Sequence, residues 1–158
     1  MTAAITIERT REYSLLQRIV TAERIFERTA DDFSPAPSEW LIPDREGLIY
    51  LLARDGNQIL GFCVFVPVNG VTYEVHVCFL RIAYGEKALA SFARMLGWMW
   101  GATETQRIIG AVPEYNAAAI HFARRAGFEV FGVNQKSWLK HGRLHDQVML
   151  GISRPENL

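Results

Sequence analysis

The stretch AVPEYNAAAIHFARRAGF, residues 111–128, decides how the rest of the chain is read. A β-type run from Gln106 to Val112 stops at Pro113, which has no N–H to give to a sheet ladder. Asn116 stands where a helix N-cap belongs, its side-chain oxygen able to accept from a freed backbone N–H. Ala119, Phe122, Ala123 and Ala126 recur at helical spacing and give one apolar face. His121, Arg124 and Arg125 fall largely on the other. Gly127 is placed to end the helix in a left-handed conformation, and Phe128 to Val133 reads as a new strand. The unit is strand, short loop, small-faced helix, glycine, strand.

Upstream of this unit lie three runs with strand character, Leu48 to Arg54, Gln58 to Val66 and Val71 to Leu80. Asp55-Gly56-Asn57 and Asn69-Gly70 punctuate them as hairpins, so an antiparallel meander is expected. Gly85 to Gly101 reads as a helix with Leu89, Phe92, Ala93, Leu96 and Trp100 on one face. Met95, Trp98 and Met99 make it apolar nearly all round, which predicts a central helix or one covered on its outer side, as in a homodimer. Before the meander, Ala4 to Glu8 alternates weakly as a first strand. Arg11 to Glu27 places Leu15, Ile19, Ala22 and Phe26 on one helix face, with Thr10 as its cap. Three prolines between Asp31 and Asp44 predict a long loop with at most a helical turn near Ser38 to Leu41. After the central unit, Val133 to Arg143 reads as less regular, Gln147 to Ile152 as a final strand, and Ser153 to Leu158 as a tail.

The 158 residues predict one domain, spanning 1–158, with no repeat and no linker. Apolar residues make up 49%, which fits a packed core. Lys plus Arg equals Asp plus Glu at 17 each, and this balance argues against nucleic acid as a partner. From His121 to His145, five Arg or Lys accompany a single Glu; the surplus either faces a phosphorylated ligand or is a solvated surface. Cys63 and Cys78 form no metal-ligand spacing, and a reduced, cytoplasmic setting is the simpler reading. No leader-like N-terminus is seen, and no apolar run approaches the roughly 18 residues that span a membrane. His141, His145 and Asp146 flank Gly142, which disfavours a helical metal site, and no metal is expected.

The Asn116, Ala119, Gly127, Phe128 spacing resembles the second half of the acyl-CoA-binding core of GNAT N-acetyltransferases. The nearest look-alikes are the ribosomal-protein N-terminal acetyltransferase branch and short phage-encoded relatives. The βαβββαβαββ order matches that layout over nearly the whole chain. The resemblance implies an α+β, three-layer fold, with a mixed, mostly antiparallel sheet of about six to seven strands flanked by helices. It also implies acetyl-CoA as co-substrate and an amine of a small molecule or protein as acceptor, with direct attack on the thioester.

Side chains alternate along Val71 to Leu80, so Glu74 and His76 share a face, about 6.5–7 Å apart along the strand. An amine must lose a proton to complete acyl transfer, and a positioned carboxylate or imidazole takes it. The family often places such a base on this strand, so Glu74 and His76 are the catalytic candidates; the alternative is that they satisfy each other by a hydrogen bond. Cys78, on the same face, reads as a small buried hydrophobe.

By the same resemblance, Phe79, Leu80, Arg81, Gly85, Lys87 and Ala88 border a pyrophosphate loop, and Asn116 meets the pantetheine arm. Gly85 fits the motif's first glycine, but Ile82 stands where Arg or Gln is usual and Lys87 where Gly or Ala is usual. Lys87 or Arg81 could offset the departure by charge; equally, it could mark a catalytically weak module with a structural role. A Tyr often found seven residues after the Asn is Ala123 here, leaving Tyr115, Tyr84 or water to protonate the leaving thiolate. Phe33 and Trp40 either wall the acceptor site or pin their loop to the core. The segment Trp138 to Asp146 borders the acceptor site in the look-alikes.

Overall fold

The computed structural model describes residues 4–158. Seven strands form one sheet: β1 (Ile5–Arg9), β2 (Ile49–Asp55), β3 (Gln58–Pro67), β4 (Thr72–Phe79), β5 (Arg107–Pro113), β6 (Glu129–Lys140) and β7 (Arg143–Ser153). Their order across the sheet is β1-β2-β3-β4-β5-β7-β6, and only the β4–β5 pair is parallel. The helices are α1 (Tyr13–Val20), α2 (Glu23–Thr29), α3 (Glu86–Ala102) and α4 (Ala117–Arg125).

Strand alternation divides the core into two layers. Val75, Phe79, Leu51, Phe65 and Ile108 pack with Phe92, Met95, Leu96 and Met99 of α3. Tyr50, Leu52, Phe62 and Cys78 pack on the opposite face with Leu16, Ile19 and Val20 of α1 and Ile25 of α2. The arrangement is helix, sheet, helix, as the sequence reading expected. Phe92 and Phe128 stack with centroids 5.7 Å apart, and Phe122 of α4 completes that aromatic group.

The unit around Asn116 forms as its local chemistry dictates. Asn116 caps α4 by accepting from the Ala119 N–H at 3.2 Å. Gly127, at φ 99°, reverses the chain, and the Phe128 N–H reaches the Ala123 carbonyl at 3.0 Å.

Three expectations need correction. The helix expected over Arg11 to Glu27 is two helices. Thr21 donates both its hydroxyl and its N–H to the Gln17 carbonyl, and Ala22 then turns extended. The break lets Phe26 meet Trp40 edge-on at 5.5 Å, which pins the long loop to the core, while Phe33 stays exposed. Thr10 accepts from the Glu12 N–H, but the helix begins later, at Tyr13. Second, residues 133–143 are regular: β6 runs to Lys140 and turns through His141-Gly142 into β7, which starts at Arg143. Pairing with β7 supplies the regularity, interrupted by an irregular step between Asn134 and Trp138. There Lys136 takes φ 50°, and its N–H donates to Asp146 at 2.8 Å. Third, the outward face of α3 is small rather than bulky: Ala90, Ala93 and Gly97 are exposed, and Trp98 packs on the core.

Gly61 holds β3 tight against the end of β4. A Cβ there would lie 2.4 Å from the Cys78 carbonyl oxygen and 2.6 Å from Phe79 Cα, both backbone atoms. Gly61→Ala is expected to destabilise the protein by about 1–3 kcal/mol, read as a lower urea midpoint at unchanged slope.

Candidate functional site at the parting of two strands

The parallel ladder between β4 and β5 joins Thr72 to Arg107, Tyr73 to Ile108 and Glu74 to Ile109, and ends there. Both strands continue, β4 to Phe79 and β5 to Pro113. β4 stays paired with β3 along its length, and β5 with β7. A wedge-shaped gap therefore opens in the middle of the sheet. The Val71 carbonyl bonds to the Gln106 and Arg107 amides on the β5 side, whereas the Leu80 N–H bonds to Leu60 on the β3 side. Peptide groups alternate in direction along a strand, so the amides of Val77 and Phe79 point into the gap. Val77 is 38% exposed although it lies mid-strand in the centre of the sheet.

At the C-terminal end of β4, Arg81–Ala83 makes a 3-10 turn, and Gly85 enters α3 at φ 90° with open space where a Cβ would stand. No side chain caps the first turn of α3, so its leading amides face outward beside a glycine that allows close approach, a geometry suited to an anion. Leu80 precedes the turn, and Arg81 is exposed on it. Ala88 is buried under the first turn of α3. The Lys87 ammonium lies 2.9 Å from Asp55 at the β2–β3 turn, so its charge is held there. Glu86 pairs with Arg125 of α4 at 2.8 Å. Asn116 stands at the start of α4, beyond the C-terminal end of β5 and so on the same side of the sheet as Gly85, with its oxygen engaged as the cap.

Glu74 and His76 come together. His76 Nε2 lies 3.1 Å from Glu74 Oε1, on the α1/α2 face of β4, at the level where β5 departs. The hydrogen bond from His76 holds the half-buried Glu74 carboxyl below its usual range, against the opposing effect of burial. The two thiols are different. Cys63 and Cys78 are fully buried, and burial pushes the Cys78 thiol up to about 12, so neither supplies a thiolate.

A second group gathers at the open end of the gap, around Tyr115, one of the acids the sequence offered for the leaving thiolate. Tyr115, just past β5, accepts from the Trp138 indole N–H at 2.8 Å and meets the His145 ring edge-on at 4.7 Å. His145 Nδ1 lies 3.3 Å from Glu114. Asp146 accepts the Lys136 N–H and its carbonyl takes the Glu114 N–H, so His145 and Asp146 both brace this corner. Tyr115 and His145 line an open cavity of about 560 Å³ whose other walls are α2 and the β6–β7 turn. Arg28 of α2 lines it too and donates to the Tyr84 hydroxyl at 3.3 Å, joining this cavity to the loop before Gly85. Lys140 reaches back to the Glu27 and Ala30 carbonyls, at 2.7 and 2.6 Å, and so fixes the end of α2 against the hairpin. The signal available in sequence was the cation surplus between His121 and His145; its α2 half, Arg24 and Arg28, is remote along the chain.

No family model matches the chain, and no curated protein matches it in sequence. Its fold does match solved structures, and it is the fold of the GNAT acetyltransferases. Spermidine N-acetyltransferase from Vibrio cholerae, solved with CoA and spermine, superposes with a TM-score of 0.78 at 14% identity, covering 94% of this chain and 95% of that one. Ribosomal-protein-alanine N-acetyltransferase from Brucella melitensis gives 0.72 at 20% identity, covering 94% and 99%. A GNAT-family acetyltransferase from Streptococcus pneumoniae gives 0.72 at 14%, covering 96% and 100%. Among the described residues, no helix is long and apolar enough to cross a membrane.

Two predictions test this geometry. Asp32 accepts the His141 and Gly142 amides at 2.7 and 2.8 Å, and these bonds hold its carboxyl below the usual range. A depressed carboxyl stabilises the fold above its unfolded pKa, about 3.9, and the contribution fades as pH falls through the folded value. Asp32→Asn should therefore lower the thermal midpoint at pH 7, and the gap from the parent should close as pH falls below the ordinary carboxylate range, through the lowered folded value. Asn116→Ala should cost about 0.5–2 kcal/mol in chemical denaturation, the usual loss of an N-cap.

Proposed function

We propose that the protein is an acetyl-CoA-dependent N-acyltransferase that moves an acetyl group to a primary amine of a small molecule or protein. The observation that carries this reading is the end of the β4–β5 ladder at Glu74 and Ile109 while both strands run on. The exposed Val77 and the open approach to Gly85 fit a thioester arm entering the gap with its diphosphate at α3. Bound acetyl-CoA would supply an activated acyl carbon and a thiolate leaving group. Phe79 and Leu80 would line the entrance, and the amides of Gly85, Lys87 and Ala88 would receive the diphosphate with Arg81 beside them. Asn116 would border the arm while it caps α4.

The Val77 and Phe79 amides would hydrogen-bond the acyl oxygen as charge builds on it. His76 would take the proton that the amine loses as the N–C bond forms and the C–S bond breaks. Glu74 would orient the imidazole and stabilise its charged form, because a carboxyl held below its usual range stays ionised and is the better partner than base. Tyr115 would protonate the thiolate: its oxygen already accepts from Trp138, which leaves its own O–H to donate. Two buried thiols with raised pKa support direct transfer over an acyl-cysteine route.

The test is a paired measurement. Acetyl-CoA at about 100 times its dissociation constant should stabilise the protein by about 2.7 kcal/mol in a thermal-shift titration. His76→Ala should then lower kcat by about 10²-fold or more and Glu74→Gln by less, each still binding acetyl-CoA. Unchanged turnover in both variants overturns the roles given to the pair. A second reading, a catalytically weak module, is favoured by Ile82 in the loop and by the capture of Lys87 by Asp55. Absence of any shift at millimolar acetyl-CoA would select it.

A further inference from the structure

The chain carries no net formal charge, yet the cavity beside Tyr115 does not share that balance. Arg24, Arg28, Lys140 and Arg143 line it, against one carboxylate, Glu27. Among the described residues, none of these four cations lies within ion-pair distance of a carboxylate. Lys140 spends its hydrogen bonds on two carbonyls and makes no ion pair with a carboxylate, its charge acting on Asp32 only from beyond ion-pair distance. Each Asp32 oxygen is engaged by an amide of the hairpin turn, one by His141 and one by Gly142. The nearby Glu114 is turned to the His145 ring, 3.3 Å from its Nδ1, and not to any of the four cations.

Position gives this charge a use. The cavity is built on the α1/α2 face, the face of Glu74 and His76, while α3 lies on the other. It opens where β5 ends, at Tyr115, and Arg28 ties it to the loop before Gly85. An amine entering the gap from this side has its far end among the four cations. Clustered charge in a concave site attracts an anion, and arginine grips carboxylate or phosphate oxygens in bidentate fashion. A polyamine would instead set its own charges against them.

Resting on the transferase reading, we propose that the acceptor is an amine that also carries an anionic group, a carboxylate or a phosphate, held by Arg24 and Arg143 with Arg28 and Lys140 behind them. L-Glutamate and glucosamine 6-phosphate serve as the carboxylate and phosphate probes, and spermine as the polycation. Arg24 and Arg143 are exposed, so the double variant Arg24→Gln/Arg143→Gln should fold.

Calorimetric titration of each probe, without acetyl-CoA, reads the cavity directly. Binding of either anionic probe, weakened about tenfold or more in the double variant and by added salt, supports the proposal. The probe that binds tells carboxylate from phosphate. Preference for spermine, binding of neither anionic probe, or a double variant that loses acetyl-CoA affinity instead would overturn it. Turnover gives the second readout: the ratio of kcat/KM for the anionic amine over spermine should fall about tenfold in the double variant. Anion binding with no acetyl transfer to any probe would leave the cavity's assignment standing and remove the transferase reading, so the two failures are separable.

Discussion

Everything of interest in this molecule depends on two adjacent strands that pair for three residues and then separate. Such a gap would ordinarily cost the hydrogen bonds it forgoes. Here each strand is secured elsewhere, β4 by β3 and β5 by β7, over its whole length. Each half of the sheet thus keeps its own ladder up to the gap, and one core shared with α3 holds the halves together. The amides left facing the gap are fixed in direction before any ligand arrives. Gly61, pressed against the backbone of Cys78 and Phe79, keeps one wall in place.

The chemistry around the gap is arranged by face. Period two sends Val75 and Phe79 to the α3 layer and Glu74, His76 and Cys78 to the α1/α2 layer. One layer is apolar and aromatic down to Phe79, Phe92 and Phe122. The other carries the hydrogen-bonded acid and imidazole and leads to the cationic cavity. Burial keeps the thiols protonated, and at the apex of the gap the Glu74 carboxyl is hydrogen-bonded to the His76 imidazole. The fold brings cations to the cavity from both ends of the chain, α2 near the start and the β6–β7 hairpin near the end, and Lys140 joins them by capping α2.

Much of this was legible before any coordinates. The helix at Ala117, its cap and its terminating glycine rest on bonds between residues three to five apart, and such bonds are written in the local order of residues. That Glu74 and His76 share a face followed from strand alternation alone, and the structure adds the bond between them. The break at Thr21 did not, because the apolar spacing runs on through it, and what ends α1 is a hydroxyl that competes for a carbonyl. Residues 133–143 looked irregular because polar side chains and Gly142 hide a strand whose regularity comes from its partner. Lys87 looked free to meet a phosphate, and only folding brings Asp55, 32 positions earlier, against it.

The sequence by itself determined the element types, the order that resembles a GNAT core, and which face of β4 bears acid and imidazole. These are consequences of backbone periodicity and of caps that close within a turn or two. The tertiary structure alone decided where β4 and β5 cease to pair, and that Lys87 answers to Asp55. It alone set Arg24 and Arg28 opposite Lys140 and Arg143 around one cavity. Those facts are set by packing between segments up to 113 residues apart, and no local pattern records which distant surface a side chain will meet.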